Sequence, residues 1–335
     1  MVPVVRAIQK AWPDTKLTWL IGKVEHELLA GLDNVEFIIL DKKRGIRGYA
    51  DVFRQVRHRN FDLMLHMHAS LRANLVSLMI SSKTRLGFDR NRARDFQWYF
   101  CNNHIPHLPR QHVMDGFLQF AKTLNINPKD LRWDIPISKN DRDFALNHTS
   151  GSKPILVISP CTGERFRNFR NWKASHYSKI ADFADSQYGA KIILTGGNTE
   201  TEKKYGEKIS LNCQGNVTNL IGKTTLKQLL ALLERATVLL CPDSGPAHMA
   251  TAAGTPVIGL YATSNTNRTG PYKSQHLIVD KYPEAVQQEF NARVSEIKWG
   301  KRVRNPHAMD LITVPDVMEK LSKAFEEAGI KTLST

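Results

Sequence analysis

The sequence predicts an α/β protein of two domains, each built on a parallel sheet covered by helices. Three observations carry that prediction. Apolar runs such as "ILVI" (155–158) and "TVLLC" (237–241) are short and nearly continuous, as strands buried on both faces require. They alternate with segments of helical periodicity, the pattern of repeated strand–helix–strand units. The length of 335 residues also exceeds what one hydrophobic core usually organises, so two domains are expected, at 1–140 and 152–335.

The chain opens on "MVPVVRAIQKAW" (1–12), an amphipathic helical pattern. Strands follow at "KLTWLIG" (16–22), "VEFIIL" (35–40) and "FDLMLHM" (61–67), with a helix in "RGYADVFRQVRHRN" (47–60) before the last. A parallel domain ordinarily starts with a strand and a loop. Here a helix comes first, so either the domain is unusual or that strand and loop lie upstream of Met1. Polar "SKNDRDFALNHTSGSK" (138–153) is the expected linker.

The second half alternates more regularly. "KPILVIS" (153–159) is a strand between prolines, and "SHYSKIADFADSQYG" (175–189) a helix stopped by Gly189. "AKIILTGG" (190–197) is a strand ending in glycines, with a polar helix from about Glu200. "TLKQLLALLERA" (225–236) is a helix, "TVLLC" a strand, then comes a short helix and the strand "PVIGLY" (256–261). The final helix, "PDVMEKLSKAFEEAG" (315–329), has proline near its start and glycine at its end. Two such domains joined by a hinge predict a ligand cleft at the carboxyl ends of their strands.

Charge narrows the partners. Lys and Arg number 47 against 32 Asp and Glu, a formal net charge of +15. The excess is clustered in "DKKRGIRG", "KTRLGFDRNRAR", "RFRNFRNWK" and "KWGKRVR". Any one cluster reads as a solvated face, but four together favour a polyanionic ligand. No zinc-finger spacing or RNP motif occurs, so nucleic acid is not the expected partner. No apolar run approaches the roughly 18 to 20 residues that span a bilayer, and the start lacks a signal-peptide pattern, so a cytoplasmic protein is expected.

Cys101, Cys161, Cys213 and Cys241 are far apart, which disfavours zinc and disulfides alike. His66 and His68 in "LHMHAS" would share one strand face, but no third ligand stands near, and a polar strand end is the preferred reading. No metal site is expected.

The densest polar cluster is "DSGPAH" (243–248), between two buried strands. There Asp243 or Ser244 can cap the following helix. Gly245 would let a ligand approach the backbone, and the helix N-terminus favours an anion such as a diphosphate. His248 would face the same mouth one turn on. These local features read equally well as a helix cap beside a core histidine.

The wider pattern resembles a known family. "D-S-G-x-x-H-x-A-x-A-x-G-T-P-V-I-x-L-Y" (243–261) followed by "GPY" (270–272) resembles the signature of glycosyltransferase family 9, the ADP-heptose:lipopolysaccharide heptosyltransferases. "SPCTGERFRNFRNW", "LTGGNTETEKK" and "NLIGKTTLKQLLALL" resemble its other donor-side segments, and "RNFDLMLHMHASLRANL" and "TRLGFD" its first-domain segments. The resemblance covers nearly the whole chain and is strongest from about 155 to 272.

It implies the GT-B fold, two Rossmann-like domains facing across a cleft, and an inverting transferase that needs no metal and no cofactor. The donor would be ADP-heptose and the acceptor a lipopolysaccharide inner core of the Kdo-lipid A type. The chain would then work at the cytoplasmic face of the inner membrane, in peripheral contact with its anionic surface. By the resemblance, Asp243, Ser244, Gly245 and His248 surround the donor's diphosphate and sugar. Glu200 binds the ribose, Thr224 lines the adenine pocket and Thr162 stands beside the phosphates. Arg170 takes a position usually held by lysine and would stabilise the leaving diphosphate electrostatically; Asp243 would be catalytic with it. Arg72 and Arg94 match basic positions near the acceptor. His66 departs from an acidic position, and the family's general-base aspartate would lie before Met1. The motifs specify a nucleotide sugar more firmly than ADP-heptose, so a transferase with another donor, or a donor-binding protein impaired in transfer, stays open at this point.

Overall fold

The computed structural model describes residues 1–164 and 167–333. Arg165 and Phe166, part of the third basic cluster, lie outside the described residues. The chain forms two compact units, Met1–Pro136 and Ile137–Thr335.

The first unit opens on the helix Val2–Ala11, which buries Val2, Val4, Val5 and Ile8 on one stripe, as the periodicity predicts. Strand β1 (Leu17–Gly22) pairs in parallel with β2 (Val35–Leu40), Leu17 standing opposite Val35. The predicted 61–67 strand is β3 (Asn60–Leu65). It pairs in parallel with β4 (Ser81–Gly87), which pairs with the two-residue β5 (Asn103–His104). The five strands thus form two separate parallel ladders, β1-β2 and β3-β4-β5.

Strand β4 escaped sequence reading because "SSKTRLG" is polar. Its Arg85 is not a solvated charge. Its guanidinium donates to the main-chain carbonyls of Phe100 (2.9 Å), Ile80 (2.9 Å) and Ser77 (2.7 Å), tying the strand to its surroundings. Strand β3 also ends sooner than predicted, at Leu65. His66 and His68 therefore do not share a strand face; His66 is buried and His68 exposed.

The second unit carries a six-stranded sheet whose bridged pairs are all parallel. Its strands are β6 (Ile155–Ile158), β7 (Lys191–Leu194), β8 (Val217–Asn219), β9 (Val238–Pro242), β10 (Val257–Tyr261) and β11 (Val279–Asp280). They lie in the order β11-β10-β9-β6-β7-β8. Only β8 and β11, three and two residues long, are too short for periodicity to reveal. Every residue of β6, β9 and β10 is buried, which explains their unbroken apolar runs.

One face of this sheet presents Leu156, Ile158, Ile192, Leu194, Val238 and Leu240 to the helices Ala174–Tyr188 and Val314–Glu327. Tyr188 and Phe325 join those two helices edge to face at 4.8 Å. Burying each such aliphatic side chain is worth roughly 1.5–3 kcal/mol, so this face dominates the unit's stability. The helix Ala174–Tyr188 ends at Gly189, in the left-handed conformation at φ 62°, as the glycine stop predicts.

The expected linker is not one. Lys139–Thr149 forms a helix capped by Ser138, whose hydroxyl accepts from the Asp141 amide. It packs on the helix Leu226–Arg235. Arg142 pairs with Glu234 at 2.7 Å, and Arg235 donates to the Thr149 hydroxyl. Its polar face looked like linker because only Ala145 and Thr149 are buried.

Candidate active site at the carboxyl ends of the parallel strands

The sheet of the second unit is parallel throughout, so the loops after its strands all emerge along one edge. The loop after β9 carries Asp243, Ser244, Gly245 and His248. The loop after β6 carries Thr162 and Arg170, the loop after β7 leads to Glu200, and the loop after β8 holds Thr224. At about 4.8 Å per strand, β8 lies roughly 14 Å from β9, about the length of an extended nucleotide.

Thr162, Arg170 and Asp243 belong to one hydrogen-bonded chain. The Arg170 guanidinium meets the Asp243 carboxylate at 3.1 Å and donates to the Asp243 carbonyl at 2.7 Å. Its Nε donates to Asn168 at 2.6 Å. The Asn168 amide in turn donates to the Thr162 hydroxyl and, at 2.7 Å, to the Gly163 carbonyl. Asn171 accepts from the Thr162 amide at 2.9 Å. The loop is anchored by Trp172, buried to 1%, whose indole N–H donates to the Ile312 carbonyl at 3.0 Å. Trp172 stacks edge to face on Tyr177 at 5.2 Å. A buried aromatic two residues after Arg170 therefore sets where its guanidinium points.

Two partners of Asp243 were not singled out in the sequence. The Ser264 hydroxyl donates to the Asp243 carboxylate at 2.7 Å, and Arg302 stands 3.8 Å from the same oxygen. Arg302 is brought in by its neighbour Val303, whose amide donates to the Thr263 carbonyl at 3.1 Å. Its sequence signal was the "KWGKRVR" cluster, which reads as a solvated face without tertiary contacts. Two arginines share one aspartate, so the edge keeps an excess of positive charge.

The helix Gly245–Ala253 corrects the capping expectation. Ser244 is its N-cap residue, yet neither Ser244 nor Asp243 accepts a capping hydrogen bond. The Asp243 carboxylate is drawn instead to Arg170 and Ser264, and Pro246 in the first turn has no N–H to offer. The buried Ser244 hydroxyl oxygen makes no hydrogen bond among the described residues. A Cβ added at Gly245 would meet no atom within 4 Å, and its backbone is not left-handed. Packing therefore does not demand glycine there; the space above it is open. His248, one turn in on the same helix, reaches solvent, yet the protein around it lowers its pKa from the ordinary value by desolvation, so it is not a core histidine shut off from the strand edge.

Glu200 begins the helix Glu200–Asn212. Its neighbour Glu202 does the capping, accepting from Gly197 N–H (2.7 Å) and the Thr199 hydroxyl (2.8 Å). Glu200 stays exposed and pairs with Lys203 at 3.2 Å. Thr224 is half-buried just before Thr225, the N-cap of the next helix.

In the first unit, Arg72 and Arg94 are exposed, and their segments are joined. The Leu71 amide donates to the Asp95 carboxylate at 3.0 Å, and Asn74 donates to the Asp95 carbonyl at 2.5 Å. The His66 imidazole is buried, and burial, with the Arg85 charge second, lowers its pKa to about 4. Thiol chemistry has no support: burial raises Cys161 and Cys241 to about 12 and Cys101 and Cys213 to about 11. Among the described residues, no three His, Cys, Asp or Glu side chains gather as metal ligands.

Comparison with known proteins gives a consistent picture. Residues 49–299 match the model of glycosyltransferase family 9 (heptosyltransferase). The lipopolysaccharide core heptosyltransferase OpsX of Haemophilus influenzae is 37% identical over 320 residues, 96% of this chain and 91% of that one. Two solved structures share the fold. A family 9 glycosyltransferase from Veillonella parvula has a TM-score of 0.77 at 20% identity, covering 97% of this chain and 93% of that one. The E. coli heptosyltransferase WaaC with ADP has a TM-score of 0.73 at 16% identity, covering 96% and 94%. The fold class is that of two Rossmann-like units, the GT-B class.

Proposed function

Because the chain belongs to glycosyltransferase family 9, we propose that it transfers heptose from ADP-heptose to the inner core of lipopolysaccharide, with inversion and without a metal. The observation that carries this reading is the Arg170–Asp243 pair beside the open backbone at Gly245. A diphosphate seated there meets main-chain N–H groups of a helix whose first turn has no side-chain cap. Arg170 and Arg302 supply positive charge.

In the reaction an acceptor hydroxyl attacks the anomeric carbon of the donor sugar. The bond from that carbon to the diphosphate oxygen breaks, and ADP leaves with the electron pair. Charge develops on the leaving oxygen, and Arg170, held by Asp243 and Asn168, is placed to offset it without reorganising. The hydroxyl proton passes to a general base outside the residues named above. Across the strand edge, Glu200 would take the ribose hydroxyls, Thr224 would line the adenine and Thr162 would stand beside the phosphates. Arg72 and Arg94 would meet the acceptor's anionic groups. That acceptor is lipid-anchored, so the chain would act at the cytoplasmic face of the inner membrane. No helix among the described residues is long and apolar enough to cross a membrane.

Calorimetry with ADP tests the donor site. Asp243→Ala should weaken ADP binding about ten-fold or more, the scale of a lost charge-assisted network; undiminished binding would place the donor elsewhere. A panel of nucleotide sugars with Kdo-lipid A tests the substrate, and preference for a donor other than ADP-heptose would replace it.

A further inference from the structure

The helix Leu71–Ser77 turns its leucines outward. Asn74, Val76 and Ser77, at 0%, 3% and 4% exposure, face the protein. Leu71, Leu75 and Leu78, spaced as one helical stripe, face solvent, and Leu78 is 64% exposed. The stripe does not stand alone. Asp95 clamps the start of this helix through Leu71 and Asn74, so the segment that follows Asp95 lies beside it. That segment exposes Phe96 by 72% and Tyr99 by 79%. Phe96 is held at φ 65°, a left-handed conformation rare for a bulky residue, so its outward position is imposed by the fold.

Clustered exposed leucines and aromatics mark an interaction surface rather than scatter. The charge around them selects the partner. Arg72, Arg90 and Arg94 are exposed beside the patch. The nearby carboxylates are occupied, Asp89 by Arg92 and His107, and Asp95 by the Leu71 amide. Apolar and aromatic side chains flanked by exposed arginines match the apolar interior and anionic headgroups of a bilayer surface.

We propose that Leu71, Leu75, Leu78, Phe96 and Tyr99 form a membrane-docking face that inserts shallowly into an anionic bilayer, with Arg72, Arg90 and Arg94 at the headgroups. This rests on the proposed function only for its use, since docking there would bring a lipid-anchored acceptor to Arg72 and Arg94. Each basic residue near an anionic surface strengthens partitioning roughly five-fold, and the apolar side chains add the salt-resistant part.

The test is co-sedimentation of the full chain with vesicles of phosphatidylcholine alone and of phosphatidylcholine mixed with phosphatidylglycerol, without donor or acceptor. The wild type should bind only the anionic vesicles, and part of that binding should survive high salt. The variant Leu75→Asp/Phe96→Asp/Tyr99→Asp should lose about ten-fold or more of it, while Leu211→Asp, at an exposed leucine of the second unit, should lose none. If the triple variant misfolds by circular dichroism, Leu75→Ser/Tyr99→Ser should still lose the salt-resistant part. Wild-type failure to bind anionic vesicles, or undiminished binding by the patch variants, overturns the proposal. ADP calorimetry on the same samples keeps the two readings apart, because a vesicle-binding defect with normal ADP binding bears on this face alone.

Discussion

Arg170 grips Asp243 at both its carboxylate and its main-chain carbonyl, across 73 residues of sequence. The two side chains are only 11% and 9% exposed, so each is the other's main source of charge compensation. Removing one partner of a buried pair strands the other and costs about 3–5 kcal/mol. Asp243→Ala and Arg170→Met should each lower the unfolding free energy of the second unit, read by urea titration, by an amount near the low end of that range, since Ser264 and Arg302 compensate in part. The double variant should be less destabilised than the sum. Additive losses would mean that the pair contributes no coupling.

Arg302 should separate binding from stability. It is about one-third exposed and stands 3.8 Å from Asp243, so losing that ion pair in Arg302→Ala should cost less than about 1 kcal/mol. ADP affinity should nevertheless fall, by roughly five- to ten-fold at low salt and less at high salt. Calorimetry at two ionic strengths reads this directly; equal affinity at both would leave Arg302 without a donor role.

Glu200 should act on the nucleoside and not on the diphosphate. Helix capping is carried by Thr199 and Glu202, so Glu200→Ala should cost only the few tenths of a kcal/mol of a charge at a helix start. ADP binding should weaken while pyrophosphate binding stays constant. Parallel loss of both ligands would show that Glu200 does not contact ribose.

His66 should make the first unit sensitive to acid. Its folded pKa is about 4, below the ordinary value of 6.5, because burial and the nearby Arg85 disfavour the charged ring. Between those values the unfolded chain takes up a proton that the folded chain refuses. The stability is complete above pH 6.5 and falls as pH drops toward 4, by up to about 3 kcal/mol. His66→Asn should flatten the thermal midpoint across that window; an unchanged slope would assign the acid sensitivity to other groups.

The first unit shows why part of the fold was legible and part was not. Strands β1 and β2 are apolar enough to be read directly, and the helix Val2–Ala11 carries its core stripe in its periodicity. Strand β4 is polar, and its Arg85 is satisfied by carbonyls that only folding brings near. The helix Lys139–Thr149 was hidden for the same reason, because it rests on two buried residues and on an ion pair and a hydrogen bond with a distant helix. In the candidate site, the motif singled out Asp243, Arg170 and Thr162. Asn168, Ser264 and Arg302 carry no motif, and their roles arise from side-chain reach across loops.

The sequence by itself determined the parallel sheet of the second unit, since unbroken apolar strands cannot be satisfied at a solvent face. It also determined the family, through residues whose spacing follows the order of strand-end loops. Tertiary structure decided how the charges are used. It turned Asp243 from a helix cap into an ion-pair partner, Arg85 into an internal tie and the 71–78 leucines into an exposed stripe. Periodicity records which positions repeat, but whether a polar group is buried depends on partners far along the chain, and those are set only when the chain folds.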